Sequence, residues 1–166
     1  MTAPIERLAA HHVRGGFDCG EGALNDFLLR QAGQLQRRGF GKTYVALADD
    51  GTTVTGYVSV SAAQVATAQL PKGLKLPRYP APMLRLGRLA VDVRHQGGGI
   101  GQDLLAFVLQ LALEFSQQVG LYAVLVEAKN NKVKAFYTRL GFIETADDPL
   151  CLFLPIATLA QIKSSP

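Results

Sequence analysis

The chain has 166 residues, 48% of them hydrophobic and 18% charged, and carries a net charge of +4. That length suits one folded domain spanning residues 1–166, and the composition excludes a disordered chain. No apolar run reaches the roughly 20 residues that cross a bilayer, and the start, Met1-Thr2-Ala3-Pro4-Ile5-Glu6, lacks the basic-then-apolar order of a signal peptide, so a cytoplasmic protein with no membrane contact is expected.

Ile5 to Leu8 reads as a short first strand. Phe17-Asp18-Cys19-Gly20 then turns into a helix, because Leu24, Phe27, Leu28 and Leu35 lie close to one helical face. Gly39 and Gly41 end it. Lys42 to Ala48 and Thr53 to Ser61 are rich in β-formers, and Asp49-Asp50-Gly51-Thr52 between them predicts a hairpin. Ala62 to Pro82 carries Pro71, Pro77, Pro80 and Pro82, which argue against a long helix or a central strand. It is expected to be a long connection, either functional or mobile.

Leu84 to Val93 is the next strand, followed by Arg94-His95-Gln96-Gly97-Gly98-Gly99-Ile100-Gly101. Gln102 to Val119 is a helix apolar around most of its circumference, hence largely covered. Leu121 to Ala128 reads as a buried strand. Lys132 to Leu140 is a short helix with Val133, Phe136, Tyr137 and Leu140 on one face, stopped by Gly141. Ile143 and Leu150 to Leu154 supply the last strand or strands. The sum is a mixed α/β domain whose strand–helix–strand unit predicts a parallel pair with a right-handed crossover.

The glycine run at a strand-to-helix junction is the most informative feature. Glycine loses more backbone freedom on folding than any other residue, so four of them carry a cost. The return is a bare backbone whose N–H groups face an anion at the positive end of a helix. A phosphate-bearing ligand is expected there. A P-loop is excluded, because Gly101 is followed by Gln102-Asp103 and not by Lys-Ser/Thr. A dinucleotide fingerprint fails too, since Leu104 stands where a third glycine belongs. Cys19 and Cys151 make neither a disulfide framework nor a zinc site, and His11, His12 and His95 are not at metal-ligand spacings with them; no metal is expected.

Gln96-x-x-Gly99-x-Gly101 resembles the pyrophosphate-binding signature of GNAT-family N-acetyltransferases. Leu86-Gly87-Arg88-Leu89-Ala90-Val91-Asp92 resembles the central strand of that family, and Ala135-Phe136-Tyr137-Thr138-Arg139-Leu140-Gly141-Phe142 its Tyr-x-x-x-Gly-Phe segment. Phe17-Asp18-Cys19-Gly20, Leu24-Asn25-Asp26-Phe27-Leu28, Thr43-Tyr44-Val45, Gly56-Tyr57-Val58-Ser59 and Tyr79-Pro80-Ala81-Pro82 are similar, more narrowly, to the tRNA-acetylating toxins of toxin–antitoxin pairs. The resemblance implies the acyl-CoA N-acyltransferase fold, a central, mostly antiparallel sheet with a splayed parallel strand pair flanked by helices. It implies acetyl-CoA as co-substrate, aminoacyl-tRNA as acceptor, a ribbon-helix-helix antitoxin and a homodimer.

By the same resemblance, the backbone of Leu89, Ala90 and Val91 pairs with the pantetheine arm, and the amides of Gln96, Gly97, Gly98, Gly99, Ile100 and Gly101 hold the pyrophosphate. Asn130 bonds the arm's amides. Gly98 departs from the family pattern, where a basic or polar side chain is common. Tyr137 is the candidate general acid: a phenol stays protonated at neutral pH and can donate to a leaving thiolate. No base stands out. An α-amine with pKa about 7.7–8.0 needs little help, whereas a lysine near 10.4 needs much more, which favours an α-amine acceptor. Arg30, Arg37, Arg38, Lys42, Lys72, Lys75, Arg78, Arg85, Lys129, Lys132 and Lys134 are the candidates for RNA phosphates, Lys129, Lys132 and Lys134 foremost. Arg88, inside an apolar strand, is expected to pair with a carboxylate or a backbone group. Three rival readings remain: acetylation of a small amine or a protein N-terminus, acyl-CoA binding without catalysis, and a nucleotide-phosphate enzyme of another class.

Overall fold

The computed structural model describes residues 4–164. In chain order these form β1 (Ile5–Arg7), α1 (Gly22–Asp26), a π-turn (Phe27–Gln31), α2 (Ala32–Arg37), β2 (Lys42–Leu47) and β3 (Val54–Val65). Then follow two 3-10 turns (Thr67–Gln69 and Lys72–Leu74), β4 (Ala81–Val91), a third 3-10 turn (Val93–His95), α3 (Ile100–Ser116) and β5 (Ala123–Glu127). The chain ends with α4 (Asn131–Arg139), β6 (Ile143–Glu144), β7 (Cys151–Pro155) and α5 (Ile156–Ser164). The strands follow the order β1-β2-β3-β4-β5-β7-β6 in a seven-stranded mixed sheet. The described residues divide into two compact units, 4–61 with 87–108 and 62–86 with 109–164. None of their helices is long and apolar enough to cross a membrane.

The first unit is built around Tyr57. Its side chain is wholly buried, and its hydroxyl donates to the Leu24 carbonyl at 2.7 Å. Burial pushes its pKa up, so it stays a neutral donor. The Phe17 and Phe27 rings flank it, and Leu28, Val45, Leu47 and Val54 complete the core. The predicted hairpin forms, with Gly51 at φ +75°. The Asp50 carboxylate closes its turn by accepting from the Thr52 and Thr53 amides and the Thr53 hydroxyl. The first helix differs from expectation in carrying a π-turn at Phe27–Gln31. Such a turn holds one residue more than an α-turn, so the helical face is re-phased halfway along.

Gly56 sets how closely α3 lies on β3. A Cβ there would stand 2.9 Å from Ile100 Cγ2, 3.1 Å from Leu104 Cδ1 and 3.2 Å from the Ala90 carbonyl oxygen. The missing side chain seats the first turn of α3, and hence the glycine loop before it, against the strand.

In the second unit β4 and β5 run parallel, registered from Met83–Ala123 to Leu86–Val126, as the strand–helix–strand pattern predicted. β7 pairs antiparallel with β5 across its whole length. The expected 62–82 connection is shorter than the prolines suggested. β3 continues to Val65, and β4 already begins at Ala81 with Pro82 inside it. Pro82 is tolerated near the start of its strand, where its carbonyl still accepts from Tyr122 N–H at 2.8 Å. Leu70 is buried between the two 3-10 turns, and the Gln69 carbonyl accepts from Ala146 N–H, so part of the connection is packed. Helix α3 is less covered than its composition implied. Leu104, Leu105, Val108 and Ala112 are buried, whereas Gln110, Glu114 and Phe115 are exposed. Helix α5 was not anticipated; it turns off Pro155 and buries Leu159.

Gly56→Ala is expected to destabilise the protein by about 1–3 kcal/mol through overpacking. The check is a urea midpoint that falls at an unchanged slope.

Candidate acyl-carrier site

β4 ends at Val91, and the next residue is a fully buried carboxylate, Asp92. It accepts from Arg94 Nε and Nη2 at 2.9 Å each, from Arg94 N–H at 2.9 Å and from Asp18 N–H at 3.0 Å. Arg94 also donates to the Gly16 carbonyl, and Val93 N–H to the Asp18 carbonyl. One side chain thus ties the end of β4 to the Phe17–Gly20 turn. Hydrogen bonds from the Arg94 guanidinium hold the Asp92 carboxyl well below the usual carboxylate range, against a burial that would raise it.

The glycine loop springs from this clasp. Gln96 Nε2 donates to the Val91 carbonyl at 2.9 Å and reaches the Cys19 carbonyl at 3.4 Å. The motif glutamine therefore braces the loop with its side chain and leaves its main-chain N–H for a ligand. Gly97 and Gly99 sit at φ +86° and +91°, where a side chain is strained. The Gly99 carbonyl accepts the first helical bond of α3, from Asp103 N–H. The amides just before that point have no intrahelical acceptor and carry the positive end of a 17-residue helix. They border a cleft of about 540 Å³ lined by Val91, His95 and the whole run from Gln96 to Gln102. A cradle of bare amides at a helix start fits a diphosphate.

Leu89, Ala90 and Val91 lie upstream on β4, beyond the last registered pair with β5 at Leu86. These three and Gln96 to Gly101 belong to the first unit; Asn130 and Tyr137 belong to the second. Asn130 is the N-cap of α4, its Oδ1 accepting from Val133 N–H at 2.9 Å. That bond leaves the two donors of the amide nitrogen and one lone pair on Oδ1. Tyr137 is 3% exposed, edge-on to Phe136 and Phe142 at centroid distances of 5.4 and 5.3 Å. Gly141, at φ +104°, reverses the chain so that Phe142 N–H bonds the Tyr137 carbonyl. That reversal is the physical content of Tyr-x-x-x-Gly-Phe: the glycine folds the phenylalanine back onto the tyrosine. Burial pushes the Tyr137 hydroxyl up to about 12.

Several expected cations are engaged. Arg85 pairs with Glu127 at 3.0 Å, Lys134 with Glu144, and Arg30 with Asp26. Among the described residues Arg88 pairs with neither a carboxylate nor a backbone group; its guanidinium lies 3.8 Å over the Phe27 ring. Glu6, His11 and His12 bring potential ligand atoms within 4.8 Å of one another. His12 Nδ1 accepts from Ala9 N–H, so Nε2 carries the proton that it donates to Glu6 at 3.0 Å. A metal at Nε2 needs that position deprotonated while Nδ1 still accepts, which a neutral imidazole does not allow. The three side chains do not fit a metal ion.

The sequence reading passed over Asp92, Arg94 and Asp18 as functional residues. The signal was present: an aspartate at the end of an apolar strand is costly to bury unless it is fully hydrogen-bonded.

Residues 34–144 match the family model described as acetyltransferase (GNAT) domain. A protein named probable toxin TacT, from Sinorhizobium fredii (strain NBRC 101917 / NGR234), is 32% identical, covering 91% of this chain and 89% of its own. A tRNA-acetylating toxin of Mycobacterium tuberculosis (strain ATCC 25618 / H37Rv) is 33% identical, covering 83% and 82%. Among solved structures, a mutant of KacT superposes with TM-score 0.91 at 36% identity over 98% of this chain and 99% of its own. AtaT complexed with acetyl-methionyl-tRNAfMet gives 0.90 at 32% over 97% and 99%. A mutant AtaT bound to the C-terminus of the antitoxin AtaR and acetyl-CoA gives 0.85 at 28% over 99% and 100%.

Two outcomes are expected for the loop. Gly99→Ala, at φ +91°, weakens acetyl-CoA binding about tenfold or more, whereas Gly98→Ala, whose Cβ meets only the His95 carbonyl at an ordinary 3.6 Å, leaves it within about twofold. Calorimetric titration with CoA separates them. Asp92→Asn costs about 1–3 kcal/mol of stability at pH 7. A depressed carboxyl contributes fully above its unfolded value near 3.9 and loses that contribution as pH falls through its folded value. The gap between variant and native protein therefore starts to narrow below about pH 5 and closes only once pH falls below the depressed folded value, as denaturant titrations at successively lower pH will record.

Proposed function

The chain belongs to the acetyltransferase (GNAT) family and is an acetyl-CoA-dependent N-acetyltransferase, and from that premise we propose that it acetylates the α-amino group of aminoacyl-tRNA as a translation-blocking toxin. The observation that carries this reading is the likeness, over nearly the whole chain, to AtaT complexed with acetyl-methionyl-tRNAfMet. We propose further that residues 1–166 act as one catalytic domain, that the protein works in the cytoplasm as a homodimer, and that a ribbon-helix-helix antitoxin neutralises it. The structure of AtaT with the C-terminus of AtaR supports an antitoxin partner.

In the proposed site the amides of Gln96 to Gly101 hold the diphosphate of acetyl-CoA. The backbone of Leu89, Ala90 and Val91 adds the pantetheine arm as an extra strand, and Asn130 donates to it. The acceptor amine attacks the thioester carbonyl, a nitrogen–carbon bond forms, and the carbon–sulfur bond breaks. A main-chain N–H near Val91 stabilises the oxyanion, a contact worth a few kcal/mol in such reactions.

Tyr137 is the proposed acid for the departing sulfur. Its pKa decides how it acts. A hydroxyl raised to about 12 opposes complete transfer to a thiolate whose conjugate acid lies near 8.5, an uphill step of about 5 kcal/mol. The phenol therefore acts first as a hydrogen-bond donor to the charge growing on sulfur. The proton that finally neutralises the thiolate comes from the ammonium formed on the attacking nitrogen. The absence of an evident base fits an α-amine, which is substantially neutral near pH 8.

Labelled acetyl-CoA incubated with charged tRNA is expected to leave label on the amino acid; label recovered on polyamines and not on tRNA overturns the acceptor assignment. Tyr137→Phe should lower kcat about 10²-fold or more, with the KM for acetyl-CoA within about twofold. In the native enzyme the rate should rise through the acceptor's pKa and then stay level to about pH 10, because Tyr137 remains protonated throughout.

A further inference from the structure

The C-terminal end of α2 presents a feature outside the acyl-carrier site. Phe40 is 67% exposed. A single exposed phenylalanine is ordinary on a protein surface; its surroundings are not. The Arg38 guanidinium lies over the ring, 5.5 Å from its centroid. The backbone beneath the ring is fixed, because Gly39, at φ +77°, ends the helix with Gly39 N–H on the Gln36 carbonyl and Phe40 N–H on the Leu35 carbonyl at 2.9 Å. One turn back, Arg37 Nη1 and Arg14 Nη1 converge over the bare Cα of Gly33, 3.3 and 3.7 Å from where its Cβ would stand. Arg14 spends one donor on the Leu28 carbonyl, and Arg37 makes no ion pair among the described residues.

Two like charges drawn to one spot repel, and a bound anion relieves the repulsion. Guanidiniums match phosphate oxygens in geometry as well as charge. Three residues beyond Arg37 stands an exposed aromatic ring with a guanidinium 5.5 Å from its centroid, an arrangement that accepts a nucleobase. Phosphate-binding charge and a stacking platform within a few residues fit single-stranded RNA. An acidic peptide can use the same guanidiniums, but it carries no run of planar bases alternating with phosphates, so charge and ring side by side favour RNA.

We infer that Arg14, Arg37, Arg38 and Phe40 form a docking patch for a single-stranded segment of the acceptor RNA, with a base stacked on Phe40 and a phosphate between Arg14 and Arg37. The patch rests on the proposed aminoacyl-tRNA acceptor and narrows its contact surface to this corner of the first unit. The ion-paired Arg30, Arg85 and Lys134 are secondary to it.

The test uses the full-length protein, pooled charged tRNA and, as a minimal acceptor, amino-acid methyl esters. Phe40→Leu is expected to raise the KM for charged tRNA and to weaken direct tRNA binding about tenfold, while Phe40→Trp restores both. Arg37→Ala with Arg38→Ala should reduce the slope of log affinity against log salt by about one to two. Acetylation of the methyl esters, and the KM for acetyl-CoA, should stay within about twofold of native in all variants. Native-like tRNA binding and salt slope in Phe40→Leu and the double variant overturn the patch. An equal loss in Phe40→Trp and Phe40→Leu assigns Phe40 to folding and also overturns it. Failure of the underlying reading looks different: the native protein then acetylates the esters but no charged tRNA, and the direct binding measurement still decides the patch.

Discussion

A carboxylate with no exposed surface stands where the central strand gives way to the glycine loop, and the rest of the first unit's site hangs on how it is satisfied. Asp92 gains four hydrogen bonds, three of them from Arg94. The alternative, a buried and unpaired charge, is among the costliest local errors a fold can contain. That asymmetry makes the clasp specific. The turn at Asp18 and the residues after β4 can meet in few ways that leave the carboxylate paired, so the loop starts from one place. Gln96 then fastens the loop back to Val91. The amides that follow are pre-organised before any ligand arrives, and a pre-organised cradle loses less entropy on binding.

The glycines in this chain do different jobs, and their number alone conceals it. Gly97 and Gly99 are required by positive φ, Gly56 by the closeness of α3 to β3, and Gly141 by the reversal that brings Phe142 onto Tyr137. Gly98 is required by none of these.

Burial sets the acidity of Tyr137. Packed against two phenylalanines, the phenol is a poorer acid than in water. It keeps its proton through the range in which an α-amine titrates, so in the proposed role it would serve the leaving sulfur by hydrogen bonding and not by full ionisation. The same neutrality suits an acceptor that brings its own partly deprotonated amine. A lysine acceptor would need a base of matched pKa beside it.

Much of this was readable in the residues. The Asp50 hairpin, the glycine loop at a strand-to-helix junction, the α4 stop at Gly141 and the parallel pairing of β4 with β5 all follow from signals confined to short stretches of chain. Backbone propensity and turn chemistry act over a few residues, so a local pattern carries them. The family resemblance rested on such stretches too. Tertiary structure alone decided the partners. Asp92 meets Asp18 across 74 positions, Arg88 settles on Phe27 and not on a carboxylate, and Arg14 joins Arg37 over Gly33. A charged side chain has several partners of similar worth, and which one it takes depends on where the sheet brings distant segments together. The extension of β3 to Val65 and the entry of Pro82 into β4 were settled in the same way, by packing that outweighs local preference.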